Sequence, residues 1–586
     1  MTRSWWTASG AVLCTLAAAA ACSSSESDPG GTAGTGSTGA SGGSAGVGSP
    51  TAGSTHGGAS TQGGSGNQAG SGRSSGASAG QGGSAGKAAG GAAGNGTAGM
   101  SAGSGASSGS ATAGGASAGG SAGAGTGAGG FGPGTLALTN LKIEANPNMT
   151  ISCFVSWTTA EAAASEVDFG ETDYTLRIRD AALVTDHKVL VIGMHAETMY
   201  KIRAVSGNAQ GTGSLEGTFT TGKLPNALPK ATLNVDDLSD DQKGWMLTNI
   251  QANSSPALAV MYDEKGLAVW YYVHGKTNDQ RGDVVTELLS SNTVLVGPTN
   301  GEPGREVDLS GKVIWEGPAN GTTQLMSHYV GKTSKGNYLL NYELDKAVSS
   351  GSTKLDDQRL VEVTPKNEEV WSWKLFDHIE PAGTREELCH GNMLVLDEAN
   401  DILYYNCRFA GLFKIDRKSG DILWRMGGTY DKTTLGPGDF TFSPTASQYS
   451  DTHEPEFHEN GTILFYDNGG YAGLGASGGN YHSRVVEYKL DETAKTCTVT
   501  FEFPGSFSGV DTWYKNTWYS PFWGDADQLA DGNILVTAPV RSSSASTRFF
   551  EVTREGKIVW ELELPPNNGS FKAQRLTPHQ LVEKMP

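Results

Sequence analysis

The chain's periodicities predict an all-β protein: a six-bladed β-propeller preceded by a small β-sandwich, with a long disordered tether in front. Three observations lead there. The composition breaks sharply near residue 135. After residue 222 a strand–turn–strand unit ending in a large aromatic recurs six times. No helical periodicity separates the copies.

Residues 1–22 read as an export signal, with Arg3 near the start, an apolar run from Ala11 to Ala21, then Cys22 and three serines. A small-residue tract ending at a cysteine resembles a bacterial lipoprotein signal, with Cys22 as the lipid anchor. Cleavage of an ordinary secretory peptide near Ala20 or Ala21 is the alternative. The one apolar run is short for a membrane span, so everything after it is expected to be soluble, exported and membrane-attached only through lipid. The expected location is the outer membrane or cell surface, facing the periplasm or the exterior.

Residues 23–134 are almost wholly Gly, Ser, Ala and Thr. They offer nothing to bury and predict a flexible tether. Roughly 110 such residues span on the order of 60 Å root-mean-square.

Residues 135–222 alternate as short strands: ISCFVSWTT, SEVDFG, HKVLVIG, TMYKIRAVS and GTFTT. Trp157 and the Thr198-x-Tyr200 pair resemble a fibronectin type III-like sandwich. It carries no evident chemistry and reads as a spacer or adhesion module.

Residues 223–586 hold the repeat. MYDEKGLAVW ends at Trp270, EVDLSGKVIW at Trp315, VEVTPKNEEVW at Trp371, KIDRKSGDILW at Trp424 and EVTREGKIVW at Trp560; a longer copy reaches Phe501. A tight turn and an apolar strand precede five of the six: SNTVLVG, KGNYLLNY, ANDILYYN, NGTILFYD and DGNILVTA. Six such units read as six blades, with the tryptophans as blade-packing core.

The formal charge of −19 argues against a nucleic-acid partner. Of the six cysteines, none forms a CxxC or Cys/His zinc pattern. Folding Cys389–Gly428 about the turn Glu398–Asp401 makes paired positions sum to about 798. His390 then faces Arg408, and Asn392 faces Asn406. Cys389 and Cys407 sit diagonally in that register. Two inert buried thiols are the expectation there, with a disulfide as the alternative in an oxidising compartment.

Three of the eleven histidines fall at matched places ahead of the turn-plus-strand element. His328 is eight residues before Gly336, His453 eight before Gly461, and His390 nine before Ala399. In a propeller that position surrounds the central channel, so three imidazoles and Arg408 converge. His187, His195, His458 and His579 are expected to be solvated loop residues, and His274, His378 and His482 to be loop residues with no assigned role. Three histidines are a familiar zinc set, but an arginine packed among them disfavours a dication, so neither a metal nor a cofactor is expected. Transfer of an anionic group suits the set better. A neutral imidazole is a nucleophile, Arg and a protonated His offset charge in flight, and the third His moves a proton. The absence of a Walker loop leaves no call for a nucleotide donor.

Those motifs together resemble the bacterial arylsulfate sulfotransferases, exported six-bladed propellers, over about 223–586. The resemblance rests on His390-Gly391-Asn392, on Arg408 opening the strand before IDRKSGDILWR, and on His453 ahead of Asp467-Asn468-Gly469. It implies sulfuryl transfer from an aryl sulfate donor to a phenol acceptor without a nucleotide. By that resemblance His453 matches the histidine that becomes sulfated. His328, His390, Asn392 and Arg408 match the groups that hold the sulfuryl group or move the proton, Asn392 as substrate-binding. Departures are Asp451-Thr452 before His453, Glu454-Pro455 after it, Asn406-Cys407 before Arg408, and Thr462 after Gly461; they bear on substrate choice rather than mechanism. Two other classes compete. A quinoprotein dehydrogenase shares the D-x-x-x-G-x-x-W element, but normally has eight blades. A non-catalytic surface-binding propeller explains the tether but not the matched histidines.

Overall fold

A computed structural model describes residues 132–585, apart from 253–255, 276–284, 300–301, 320, 322–323, 351–352, 381–387, 428–437, 446–447, 450, 470–481, 540–545 and 578. The export segment, Cys22 and the tether up to residue 131 lie outside the described residues. Among those described, no helix is long and apolar enough to cross a membrane.

The N-terminal domain is built on one long strand, Cys153–Gly170. Its first half pairs with Leu138–Ala145 and with the end of Leu176–Val191; its second half pairs with Met199–Gly207 and with the start of Leu176–Val191. Register shifts around Ala163 let it change partners. The alternation read in CFVSWTT is real: Cys153, Val155 and Trp157 are buried while Phe154, Ser156 and Thr158 are partly open. Trp157 donates its indole N–H to Ser206 Oγ at 2.8 Å, and the Tyr200 hydroxyl accepts the His195 backbone N–H at 2.9 Å. His187 is not a solvated loop residue. It lies buried, stacked on Trp157 at 4.8 Å, and its ring nitrogens meet Thr159 and Ser165.

Six sheets follow, antiparallel except that Thr441–Ser443 pairs parallel at the outer edge of the fifth. Blade 1 runs through Met246–Ala252, Ala257–Tyr262 and Ala268–His274. Blade 2 is Thr286–Leu288 to Val313–Glu316, and blade 3 is Gln324–Lys332 to Glu369–Lys374. Blade 4 runs from Gly391–Asp397 to Ile422–Met426, blade 5 from Thr452–Phe457 to Thr496–Phe503, and blade 6 from Asp525–Gln528 to Ile558–Glu563. Both ends of the propeller segment close the ring. Thr232–Asp236 adds an outer strand to blade 6, while Asn568–Gly569 and Ala573–Arg575 supply the innermost edge of blade 1. The chain then returns to the N-terminal domain, where Glu583–Lys584 pairs with Leu176 and Arg177.

The recurrent tryptophans tie neighbouring blades. Trp270 donates its indole N–H to Leu309 O at 2.8 Å, Trp315 to Asn367 Oδ1 at 3.1 Å and Trp371 to Arg417 O at 3.0 Å. Trp424 donates to Glu492 Oε2 at 3.1 Å, and Trp560 closes the circle on Glu264 O at 3.3 Å. Each acceptor lies in the charged turn of the next blade. Phe501 has no N–H to give, and Arg554 of the next blade stacks over its ring instead, 5.1 Å from the centroid.

Candidate active site

Each inner strand breaks its ladder where it carries a proposed site residue. Register shifts fall between Met326 and Val330, between Gly391 and Met393, and between His453 and Glu456. His328 and His390 have φ of 52° and 54°, and Glu454 and Trp523 have 45° and 63°. Left-handed backbone at four non-glycine residues is costly and persists only where the surrounding packing holds it. The bulges turn these side chains out of the sheet plane toward the axis.

His453 is fully buried. Its Nδ1 lies 2.6 Å from Asn468 Oδ1, and the Trp523 backbone N–H points at its Nε2 from 3.3 Å. Burial first, then the Arg408 guanidinium, hold the imidazole well below its ordinary pKa, so the ring is neutral. Phe571 packs against both His453 and His328, with ring centroids 5.5 and 5.6 Å away. His328 Nε2 and His390 Nε2 are 3.1 Å apart, so the N–H of one ring donates a hydrogen bond to the bare nitrogen of the other. His328 is buried; His390 is the more open of the two.

Arg408 donates from Nη2 to Pro521 O and lies 3.6 Å from buried Asp451 Oδ2. Its Nε is buried with no hydrogen-bond partner among the described residues. A buried guanidinium donor left over beside three imidazoles is what a site for an oxyanion provides. Asn392 is also central, but its amide is committed to the frame. Its Nδ2 donates to Thr452 O at 2.9 Å and its Oδ1 accepts from Asn406 Nδ2 at 2.8 Å. Asn406 Nδ2 reaches the same Thr452 carbonyl, also at 2.9 Å, and Thr452 Oγ1 returns a bond to Asn406 Oδ1. The two asparagines thus fix the residue before His453.

The hairpin register is the expected one at the site end and shifts toward the turn. Gly391 pairs with Cys407, and the Arg408 N–H donates to His390 O at 3.1 Å; beyond the bulge at Asn392, Met393 pairs with Asn406. The expectation of two inert thiols is corrected. Cys389 and Cys407 form a disulfide, their Cα atoms 4.7 Å apart, so the residues preceding His390 and Arg408 are covalently joined. Cys153 and Cys497 are the buried free thiols.

Beneath His453 lies a buried ionic group. Lys572 Nζ donates to Glu454 Oε2 at 2.8 Å and lies 3.7 Å from Asp525. Among the described residues no group of three His, Cys, Asp or Glu side chains is arranged to hold a metal ion. His458 also departs from the solvated reading: it is half-buried between Glu456 Oε2 and Glu487 Oε1, each 3.2 Å from a ring nitrogen. His195 bonds Asp263 of blade 1 at 3.0 Å. His378 stacks on Trp373 and His274 is buried.

Asn468, Trp523, Phe571 and Lys572 were not expected at the site. Asn468 had a signal, since Asp467-Asn468-Gly469 ends a strand beside His453. Phe571 and Lys572 had none, because they reach the axis only through ring closure. Asn249, some 320 residues earlier, seats them by accepting the Phe571 N–H at 2.8 Å.

A closed six-bladed propeller whose axis holds a neutral buried imidazole, a histidine pair and an arginine suits the transfer of an anionic group. The chain belongs to the arylsulfotransferase (ASST) family, whose model matches residues 232–569, more than half its length. It is a sulfotransferase enzyme acting on small aryl substrates. No curated protein matches the chain by sequence. Similar solved structures include the Swd1 β-propeller domain of Myceliophteria thermophila, at 13% identity over 58% of this chain and 89% of that one, TM-score 0.32. Others are a quinonprotein alcohol dehydrogenase-like protein from Bacteroides thetaiotaomicron (10%, 76% and 97%, 0.29) and apo AztD from Citrobacter koseri (11%, 72% and 98%, 0.22). Scores this low add nothing to the fold.

Proposed function

We propose that this enzyme moves a sulfuryl group from an aryl sulfate to a phenol in two half-reactions, through His453 sulfated on Nε2, and without a nucleotide donor. The observation that carries the reading is His453 itself: buried, held neutral, its Nδ1 engaged by Asn468 and its Nε2 carrying the lone pair, which the Trp523 N–H meets at 3.3 Å. In the first half-reaction the Nε2 lone pair attacks sulfur and the bond from sulfur to the aryl oxygen breaks. The leaving phenoxide takes a proton from the His328–His390 pair, which carries one proton beyond those of two neutral rings and so goes from imidazolium to neutral. Arg408 faces the sulfuryl oxygens as charge moves, and the Trp523 N–H, which rests on Nε2, passes to them once that lone pair bonds sulfur. In the second, the acceptor phenol gives its proton back to that pair, its oxygen attacks sulfur, and the S–N bond breaks. Asn392 serves by holding the carbonyl before His453.

The test is release of 4-nitrophenol from 4-nitrophenyl sulfate, with and without phenol. Release that rises with phenol, and is abolished in a folded His453→Ala variant, is the expected result. Full activity in that variant refutes the role given to His453. The same reading has the chain exported and held through lipid on Cys22, with residues 23–134 as the tether. Incorporation of labelled palmitate that is lost in Cys22→Ala is the expected outcome, and an unlabelled wild type refutes it.

A further inference from the structure

Every polar position of Asn468 is used, and the pattern leaves its amide one orientation. Its backbone N–H donates to Asp451 O at 2.8 Å, and its carbonyl accepts from Ser483 Oγ at 3.0 Å. Its Nδ2 donates to two carbonyls, Ser520 O at 2.8 Å and Trp523 O at 2.7 Å. Turning the amide over would set its oxygen against both carbonyl oxygens, so Oδ1 must face the imidazole. The group it meets, His453 Nδ1, must then carry the hydrogen. The same two bonds fold residues 520–523 into the turn that lays Pro521 O on Arg408 and the Trp523 N–H on His453 Nε2.

We propose that Asn468 is the positioning residue that selects the Nδ1–H tautomer of His453 and keeps that proton on the ring through both half-reactions. This rests on His453 being the nucleophile. The neutrality of Asn468 is the point of the argument. When Nε2 bonds to sulfur while Nδ1 keeps its hydrogen, the ring takes on positive charge. In the second half-reaction the S–N electron pair returns to Nε2 and the ring departs as neutral imidazole. An amide oxygen accepts the Nδ1–H bond without removing the proton. A carboxylate there would draw the proton off, leaving a neutral sulfated imidazole that parts from sulfur poorly.

The two half-reactions therefore separate in Asn468→Asp, which matches the native side chain in size; its second oxygen faces Ser520 O and Trp523 O, so the burst is expected to be slower than in wild type and turnover to fall further. Rapid mixing with 4-nitrophenyl sulfate is expected to show an initial burst of 4-nitrophenol. Turnover with phenol should fall at least about tenfold, with intact mass showing accumulated enzyme heavier by one sulfuryl group. Asn468→Ala frees the tautomer, and both burst rate and turnover are expected to fall at least about tenfold. Wild-type burst and turnover in both variants overturn the proposal, and His453→Ala inactive in the same assay shows that the nucleophile reading survives that result. A burst from His453→Ala overturns the nucleophile reading itself. Nitrogen NMR of histidine-labelled wild type needs no variant. A protonated His453 Nδ1 is expected, and a protonated Nε2 with bare Nδ1 overturns the proposal even if both variants fail to fold.

Discussion

Replacing Cys389 and Cys407 together by alanine removes a cross-link between residues 18 apart in sequence. On the chain-entropy account, a closed loop of that length restrains the unfolded chain by about 3 kcal/mol at 25 °C. Both cysteines are fully buried, so the two truncations add a loss of packing that a pair of alanines does not restore. The double variant is therefore expected to be less stable by about 3 kcal/mol or slightly more in urea unfolding followed by tryptophan fluorescence. The bond also sits one residue behind both His390 and Arg408. Without it those two side chains are held only by the hairpin's backbone bonds and their own contacts. kcat is expected to fall severalfold at a temperature where the variant remains folded. Stability within 0.5 kcal/mol of wild type, together with unchanged kcat, refutes the reasoning, as does quantitative alkylation of both thiols in unreduced wild type.

Three further outcomes follow. Trp371→Phe keeps the ring but loses the bond to Arg417 O at 3.0 Å, and is expected to lower stability by about 1 kcal/mol in a thermal melt. Burial works against the charge on His458, but its bonds to Glu456 and Glu487 overcome that and raise its pKa to about 9. A raised folded-state value gives stability that is complete below the unfolded value of about 6.5 and lost as pH rises through about 9. The stability gap between wild type and His458→Gln, measured by urea unfolding, should thus be wide at pH 6 and closed at pH 10. Lys572→Met leaves Glu454 and Asp525 buried without their cation and should cost about 3–5 kcal/mol by the same measurement; adding Glu454→Gln should recover part of it.

The blades were legible because their packing element is local. Each pairs an aromatic with a tight charged turn inside about a dozen residues, and the indole bonds between blades explain why that spacing recurs. The copy without a clear turn-plus-strand element is blade 1, and the structure gives the reason. Its inner edge comes from residues 568–575, so no tight turn leads into Met246–Ala252. The matched offsets of His328, His390 and His453 reflect a shared place at the inner strands, and the structure brings all three to the axis. The bulge at Asn392 was not legible, since an inserted residue changes the register without changing the alternation around it. Nor were His187 and His458. Each is polar in sequence and drawn out of solvent, His187 fully and His458 in part, by partners, Ser165 or Glu487, that lie 22 and 29 residues away. Asn468 shows the limit most clearly: its motif was visible, but the carbonyls that orient its amide belong to a turn fifty residues further on.

Ring closure bears on the order of events during synthesis. Phe571 and Lys572 touch His328, His453 and Glu454, and their seat on Asn249 lies in the first blade. A nascent chain that has already made blades 2 to 5 holds all three histidines yet lacks the floor on which two of them rest. Contacts spanning more than 300 residues also make closure the slowest kind of step for a chain to find. Competence for chemistry would then arrive late and all at once, with the final inner strand. Half-made chains would carry the histidines without a working centre, so the enzyme would begin to act only where its folding ends.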